Sequence, residues 1–416
     1  MKKMKILLAC LLAAAMLLPM TACGKTDDGV VTLNFLRLGN DEAEKQFWLE
    51  VIESYEATHD NVKINYDDAA IGDAMDTKLT SGFTANAGPD IIGHGILSIA
   101  SRVEAGQYLP ITDYYNSWSE KDDLMSGLVD LGTYGGQLYG IAYLPTPYVF
   151  AYRKDLLEQA GYNHPPKTWA ELAEYAKKLT VKEDGRITQA GFAFPTSGGN
   201  MVELDMFAFS NGGRFADANG NPTLNTPENL EALQFVQSLV ADVSIPYNNN
   251  ETNPFMAGNA AMTFIDNVKL APMFSDPAYK DKIALAMPPA NEGHESMTFS
   301  GCRLLFIGKD CKNPDAAFDF ISYAVSKDVV LKRAEDLKAP VVLNSLVDTY
   351  ASLSEYNDVR AQCVANGIGM PITTWSTTFQ KVRNELLQNV LNGGNAADVL
   401  AEAQAKLEQE IANAAK

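Results

Sequence analysis

The sequence predicts an α/β protein of two domains or more, with a stiff extended crossing between strand segments. Three observations carry that expectation. The chain has 416 residues, room for two domains or more at roughly 150 residues each. It opens β-α-β and returns to strands that feed glycine-containing turns and helices. A stiff stretch, Tyr143-Leu-Pro-Thr-Pro-Tyr148, lies between two apolar strand-like segments and has a shorter counterpart at Lys338-Ala-Pro340. Pro145 and Pro147 each remove a backbone donor, so they are expected outside the middle of any sheet. Each also pushes the residue before it towards extended geometry. A connection between two sheets fits this pattern, and a proline-containing surface loop is the alternative on these residues alone.

Composition bounds the class. The apolar and charged fractions, 46% and 20%, are those of an ordinary globular protein. No short repeat appears, which disfavours a solenoid or propeller. Lys2, Lys3 and Lys5 precede an apolar run, Ile6–Leu18, that is too short to span a bilayer and reads as a secretion signal. Met20-Thr-Ala-Cys23 resembles a bacterial lipobox, with Met20 in place of the commoner Leu. Residues 1–22 are then a lipoprotein signal, Cys23 carries the lipid, and 23–29 form a tether. An incidental Cys23 is the alternative. Removing the signal removes three lysines and takes the formal charge from −19 to −22. Such a chain is not expected to bind nucleic acid, or anionic membranes except through its acyl chains. Cys302, Cys311 and Cys363 allow at most one disulfide, or three free thiols, and their spacing matches no zinc site.

Val30–Leu38 reads as a strand. Asn40 can cap the following helix, whose Phe47, Val51 and Tyr55 make a core stripe. Val62, Ile64 and Tyr66 alternate as a second strand. A helix around Asp73–Phe83 leads to a third, Ile91–Ile92, closed by Gly93-His94-Gly95. Open α/β sheets place ligands at such strand ends, which makes His94 a contact candidate. A capping or solvated histidine is the alternative. Tyr134-Gly-Gly-Gln137 predicts a hairpin with a primed turn. Thr168 and Glu171 form a capping box, and Trp169 beside them reads as packing. The loop Pro195–Asn200 precedes a helix start that could hold a ligand oxygen. Asp217, Asn219 and Asn221 mimic the opening of a calcium loop, but Pro222 replaces the glycine it needs, so a polar hairpin is favoured. Strands at Ala260–Ile265 and Ile283–Met287 follow, then an extended pattern at Thr298–Cys302 and Leu304–Ile307 centred on Gly301, and helices dominate from Pro314 on. No nucleophile elbow, zinc-protease motif, phosphate loop or dinucleotide fingerprint occurs. No metal, cofactor or catalytic residue is therefore assigned. An extracellular glycosidase remains the rival class, since 52 acidic residues guarantee carboxylate pairs by chance.

The order of several short motifs resembles family 1 extracellular solute-binding proteins of ABC importers, the group that includes maltose-binding protein. The motifs are Tyr139-Gly-Ile-Ala-Tyr143, Tyr152-Arg-Lys-Asp-Leu156, Pro166-Lys-Thr-Trp169, Gly191-Phe-Ala-Phe-Pro195, Asn225-Thr-Pro-Glu228, Met256-Ala-Gly-Asn-Ala-Ala-Met262, Asn313-Pro-Asp-Ala-Ala317 and Ala403-Gln404. Each is weak alone; their order and spacing are specific. The resemblance implies a periplasmic-binding-protein-like fold of type II, each lobe a mostly parallel sheet flanked by helices. Carried over, lobe 1 is 30–143 with 266–337, and lobe 2 is 144–265 with 338–416. Hinges fall at 145–147, 265–267 and 338–340.

The resemblance also implies capture rather than chemistry. A monomeric, lipid-anchored protein outside the cytoplasm binds a carbohydrate, closes on it, and hands it to an ABC permease. Residues at strand ends and crossings are the candidate contacts. They are Asn40, Asp41, His94, Asp266, Asn267, Ser300 and Arg303 from lobe 1, and Tyr143, Thr146, Tyr148, Asn200 and Trp375 from the hinge and lobe 2. Trp375 is singled out as a stacking platform because it sits in a polar loop. Arg37 and Arg303 near strand ends raise an acidic solute as a sharper option, against the favoured reading that they pair with this chain's own carboxylates. A polyol phosphate, polyamine or peptide are the other solutes considered.

Overall fold

A computed structural model describes residues 29–39, 41–70 and 73–414. The signal segment, Cys23 and Asn40 lie outside them. Strand β1 (Val31–Leu38) is followed by helix α1 (Glu42–Glu56), strand β2 (Val62–Ala69), helix α2 (Asp73–Thr84) and strand β3 (Ile91–Gly95). β1 is parallel to both β2 and β3, with Phe35 opposite Tyr66 on one side and Ile91 on the other. The cap of α1 is Asp41, one residue beyond the expected Asn40, and accepts from the Glu44 N–H at 2.9 Å. α1 buries Phe47, Trp48, Val51, Ile52 and Tyr55 against this sheet.

The hairpin at Thr133–Leu138 forms as expected, with Gly135 and Gly136 both at positive φ. It delivers the chain into β4 (Gly140–Arg153), one strand that runs without a break through both prolines. The expectation that proline excludes a sheet position is corrected here. Pro145 and Pro147 have the same parity, so their missing donors fall on one edge of the strand. In that stretch β4 pairs on one side only, and an open edge tolerates proline.

Helices α3 (Trp169–Leu179), α4 (Glu203–Phe209) and α5 (Pro227–Val243) build lobe 2 around strands β5 (Met262–Asp266) and β6 (Ile283–Ala286). The capping box forms, with Thr168 accepting from Glu171 N–H at 3.2 Å, and Trp169 packs flat on Phe235. Asp217 accepts from the Asn219 and Asn221 N–H groups, which ties up its carboxylate in a polar turn. β7 (Thr298–Ile307) then returns antiparallel to both β4 and β3. Helices α6 (Pro314–Ala324), α7 (Lys327–Leu337), α8 (Ser376–Leu391) and α9 (Ala396–Ala414) complete the layers.

The strand order is β6-β4-β7-β3-β1-β2, with β5 also on β4. The first half of β4 pairs with β7 in lobe 1, and its second half pairs with β5 and β6 in lobe 2. The sheet is parallel at β1, β2 and β3 and mixed elsewhere, because two crossings in opposite directions must lie antiparallel. β6 pairs with the lobe-2 half of β4. The expected crossing at 265–267 therefore moves to the start of β7, some thirty residues later by the numbering. The third crossing is broader than Lys338–Pro340. Met125 N–H still bonds Val342 C=O, and Ser345 bonds Asp123. Cys302, Cys311 and Cys363 are free thiols.

Candidate ligand-binding site

A cavity of about 470 Å³ opens beside the lobe-2 half of the β4 crossing. Tyr148 of β4 and Asp266 of β5 are directly opposed across the ladder, so their side chains share a face. Glu203 begins α4 and supplies the buried floor. The far wall is the polar run Asn249-Asn-Glu-Thr-Asn253, with Met256 and Lys269 completing it.

The local sequence explains this assembly. Gly198 has φ +88° and sits so close to Asn248 that a β-carbon there would overlap the amide oxygen. That close approach lets Asn249 N–H bond Ser197 C=O at 2.8 Å, and lets its side chain bond Asn200 C=O at 2.9 Å. Asp266 caps the short helix Asn267–Leu270 through Val268 and Lys269 N–H groups and so turns Lys269 to the cavity rim. Burial raises the Asp266 carboxyl, against the pull of those two N–H groups.

Beneath the floor lies a charged pair. Arg383 of α8 donates to Asp205 at 2.5 Å, and also to Asn200 Oδ1. Arg383 and Asp205 are almost wholly buried. Burial pushes Glu203 up to about 8, and Asp205 up to about 7 against the attraction of Arg383. Glu203 Oε2 has no hydrogen-bond partner. Among the described residues, no group of three His, Cys, Asp or Glu side chains stands together as a metal site.

On the lobe-1 side, Glu44 Oε2 accepts from both Arg37 and Arg303 at 2.7 Å. Arg37 is fully buried and also donates Nε–H to the Tyr66 hydroxyl at 2.7 Å. Arg303 is more open and sits at a register shift of β7. It is near enough to His94 and Asp266 to bias the protonation of both. Burial lowers His94 to about 4, so the ring is neutral at pH 7. Its Nδ1 accepts from Gly95 N–H at 2.8 Å, which leaves the proton on Nε2, a buried donor without a partner.

The candidate residues therefore divide. Tyr148 and Asp266 line the cavity, Arg303 lies near enough to Asp266 to bear on its charge, His94 stands at the end of β3 near Arg303 and lines no part of the cavity, and Asn200 anchors the loop behind Glu203. Thr146 is half-buried on the crossing against Gly301. Asp41 is exposed, with one oxygen used as a helix cap. Five assignments are corrected. Tyr143 is buried against Trp48 and under the Arg333 guanidinium, as core. Asn267 is buried and accepts from Arg360 at 2.6 Å. Ser300 is one residue past Phe299, which packs on Tyr148, and so faces the other side of the ribbon. Trp375 is 6% exposed, with its indole N–H on Gly220 C=O at 3.0 Å; the polar loop folds over it. Arg37 is committed to Glu44 and Tyr66. Glu203, Lys269 and the 249–253 run were not anticipated. The asparagine run was a visible signal, a polar cluster too dense for a plain linker. Glu203 gave none, since acidic residues commonly open helices.

Two lobes sharing antiparallel crossing strands, with a polar cavity beside the crossing, define a solute-binding protein of the hinged type. The family profile of bacterial extracellular solute-binding proteins matches residues 39–330, and the chain belongs to that family. A probable ABC transporter-binding protein of Deinococcus radiodurans is 27% identical over 315 residues, 71% of this chain and 70% of that one. The arabinooligosaccharide-binding protein of Bacillus subtilis is 24% identical over 342 residues, 78% of this chain and 76% of that one. The crystal structure of the cyclic alpha-maltosyl-1,6-maltose binding protein of Arthrobacter globiformis superposes with a TM-score of 0.80. It covers 91% of this chain and 98% of that one at 21% identity, a likeness of fold. Membership of an extracellular family points to a place outside the cytoplasm.

Proposed function

We propose that this protein captures a carbohydrate in the cavity at Tyr148, Glu203 and Asp266 and delivers it to an ABC permease. The observation that carries the reading is the wall chemistry. Amides, a phenol and carboxyls surround a cavity of about 470 Å³, a size suited to a small solute. Such groups match the paired donors and acceptors of sugar hydroxyls. The named sugar ligands of the Bacillus and Arthrobacter relatives support the same class. The two arginines that suggested an acidic solute share Glu44, which leaves less reason for that option. Lobe 1, bearing His94 and Arg303, closes over the solute held by lobe 2. Cys23 tethers the protein to the membrane by lipid.

A thermal-shift screen against mono- to tetrasaccharides and polyols, followed by calorimetry, tests the capture step. A stabilising sugar recovered intact after incubation supports it. Recovery of cleaved product would replace binding by hydrolysis. Release of a Cys23→Ala variant from the membrane fraction tests the tether.

A further inference from the structure

Glu203 is 2% exposed, yet it lines the cavity and its Oε2 has no partner in the protein. A buried acceptor left unpaired is costly, so it is stable only where a ligand or water completes it. The neighbours do not complete it. Arg383 is committed to Asp205 and Asn200. The Tyr247 hydroxyl, which accepts from Asn253 at 3.2 Å, makes no hydrogen bond to Glu203 Oε2. Lys269 sits at the rim, on the turn capped by Asp266.

We propose that Glu203 is the specificity-determining residue of this cleft, its free carboxyl oxygen taking a hydroxyl of a neutral sugar or polyol rather than a charged group. The proposal rests on the carbohydrate reading above. With Glu203 protonated, the carboxyls of Glu251 and Asp266 still outnumber the one ammonium, Lys269, along the cavity among the described residues, so an anionic solute meets net repulsion. The charged and titratable groups facing Glu203 are Asp205, Arg383, Lys269 and Asp266, with the phenols of Tyr148 and Tyr247. Burial outweighs all of them and holds Glu203 up to about 8. A neutral solute expels water and brings no countercharge, so the acid stays protonated. In that form it both donates and accepts, as a hydroxyl does. Ionisation removes the donor, so affinity falls as pH rises through about 8.

The test uses the mature chain and a panel of neutral mono- to tetrasaccharides and polyols, each beside its amino-sugar and uronic-acid counterpart. Thermal shift finds the best probe, and calorimetry follows it from pH 6.5 to 9. The expected result is a neutral probe whose affinity falls about tenfold between pH 7 and 9. Glu203→Gln should weaken binding about threefold at pH 6.5 and abolish the pH dependence, because the amide keeps a donor and an acceptor. Glu203→Leu should weaken it about a hundredfold while the ligand-free protein still melts cooperatively. If no neutral, amino or acidic sugar stabilises the wild type, the carbohydrate reading fails and takes this proposal with it. If a sugar binds but its affinity is flat with pH, or the amino or uronic form binds best, or Glu203→Leu binds as the wild type does, only the role of Glu203 is overturned.

Discussion

Arg383 is the residue that organises the lobe-2 floor. It neutralises Asp205, fixes Asn200, and reaches from a helix late in the chain to a loop nearly two hundred residues earlier. Removing it leaves Asp205 buried without its partner, which typically costs about 3–5 kcal/mol. Arg383→Leu should therefore lower the chemical-denaturation midpoint strongly, and a change under about 1 kcal/mol would contradict the buried-pair account. Glu203 acts in the opposite sense. Its folded pKa, about 8, is raised above the ordinary carboxyl value. Stability from the protonated form is full below the unfolded pKa and is lost as pH rises through about 8. Glu203→Gln should thus melt higher than wild type at pH 8, by a few kcal/mol at most, and the gap should close near pH 4. Parallel melting curves across that range would refute the assignment. Tyr148→Ala should weaken solute binding at least tenfold yet leave the fold intact, because its ring is half-buried at the cavity and packs edge-on against Phe299 at the margin of the core. Calorimetry against the best sugar, with circular dichroism as control, separates the two effects.

Among elements, the loop Pro195–Asn200 depends on one conformational requirement. Gly198→Ala would place a β-carbon at positive φ and on top of the Asn248 side chain. The loop and the asparagine run should part, with a stability loss of roughly 1–3 kcal/mol and a larger loss of affinity. Equal losses in both would make the loop a purely structural brace. The elements most legible in the sequence were those set by local rules. The opening β-α-β, the Gly135-Gly136 hairpin and the Thr168 cap follow from periodicity, turn chemistry and side-chain capping. Those that failed depended on pairing partners. Pro145 and Pro147 were legible as a crossing but not as strand, because which edge lies open is a tertiary fact. Trp375 stood in a polar loop, and only the fold brings Gly220 to its indole N–H. Arg37 and Arg303 could be paired with some carboxylate, but not with the one residue Glu44, which holds both.

At the scale of the molecule, two lobes share one strand, and β4 and β7 form the ribbon between them. The site follows from that geometry more than from any motif, which explains why the family and the fold were readable while, of the residues lining the cavity, only Tyr148 and Asp266 were. A two-stranded ribbon can bend while each lobe keeps its core, and a solute shifts that equilibrium only by binding the closed form more tightly. Glu203 Oε2 on the lobe-2 floor and His94 Nε2 at the end of β3 in lobe 1 are both left unpaired, and a solute that reached both on closure would supply that difference. Saturating sugar should then reduce the radius of gyration in solution scattering and stabilise the fold by about 2.7 kcal/mol at a hundredfold excess over Kd. His94→Ala should keep part of the affinity held by lobe 2 but lose the compaction. If the variant compacts as the wild type does, closure is driven by other lobe-1 groups, with Arg303 the next to replace, since it too lies near Asp266.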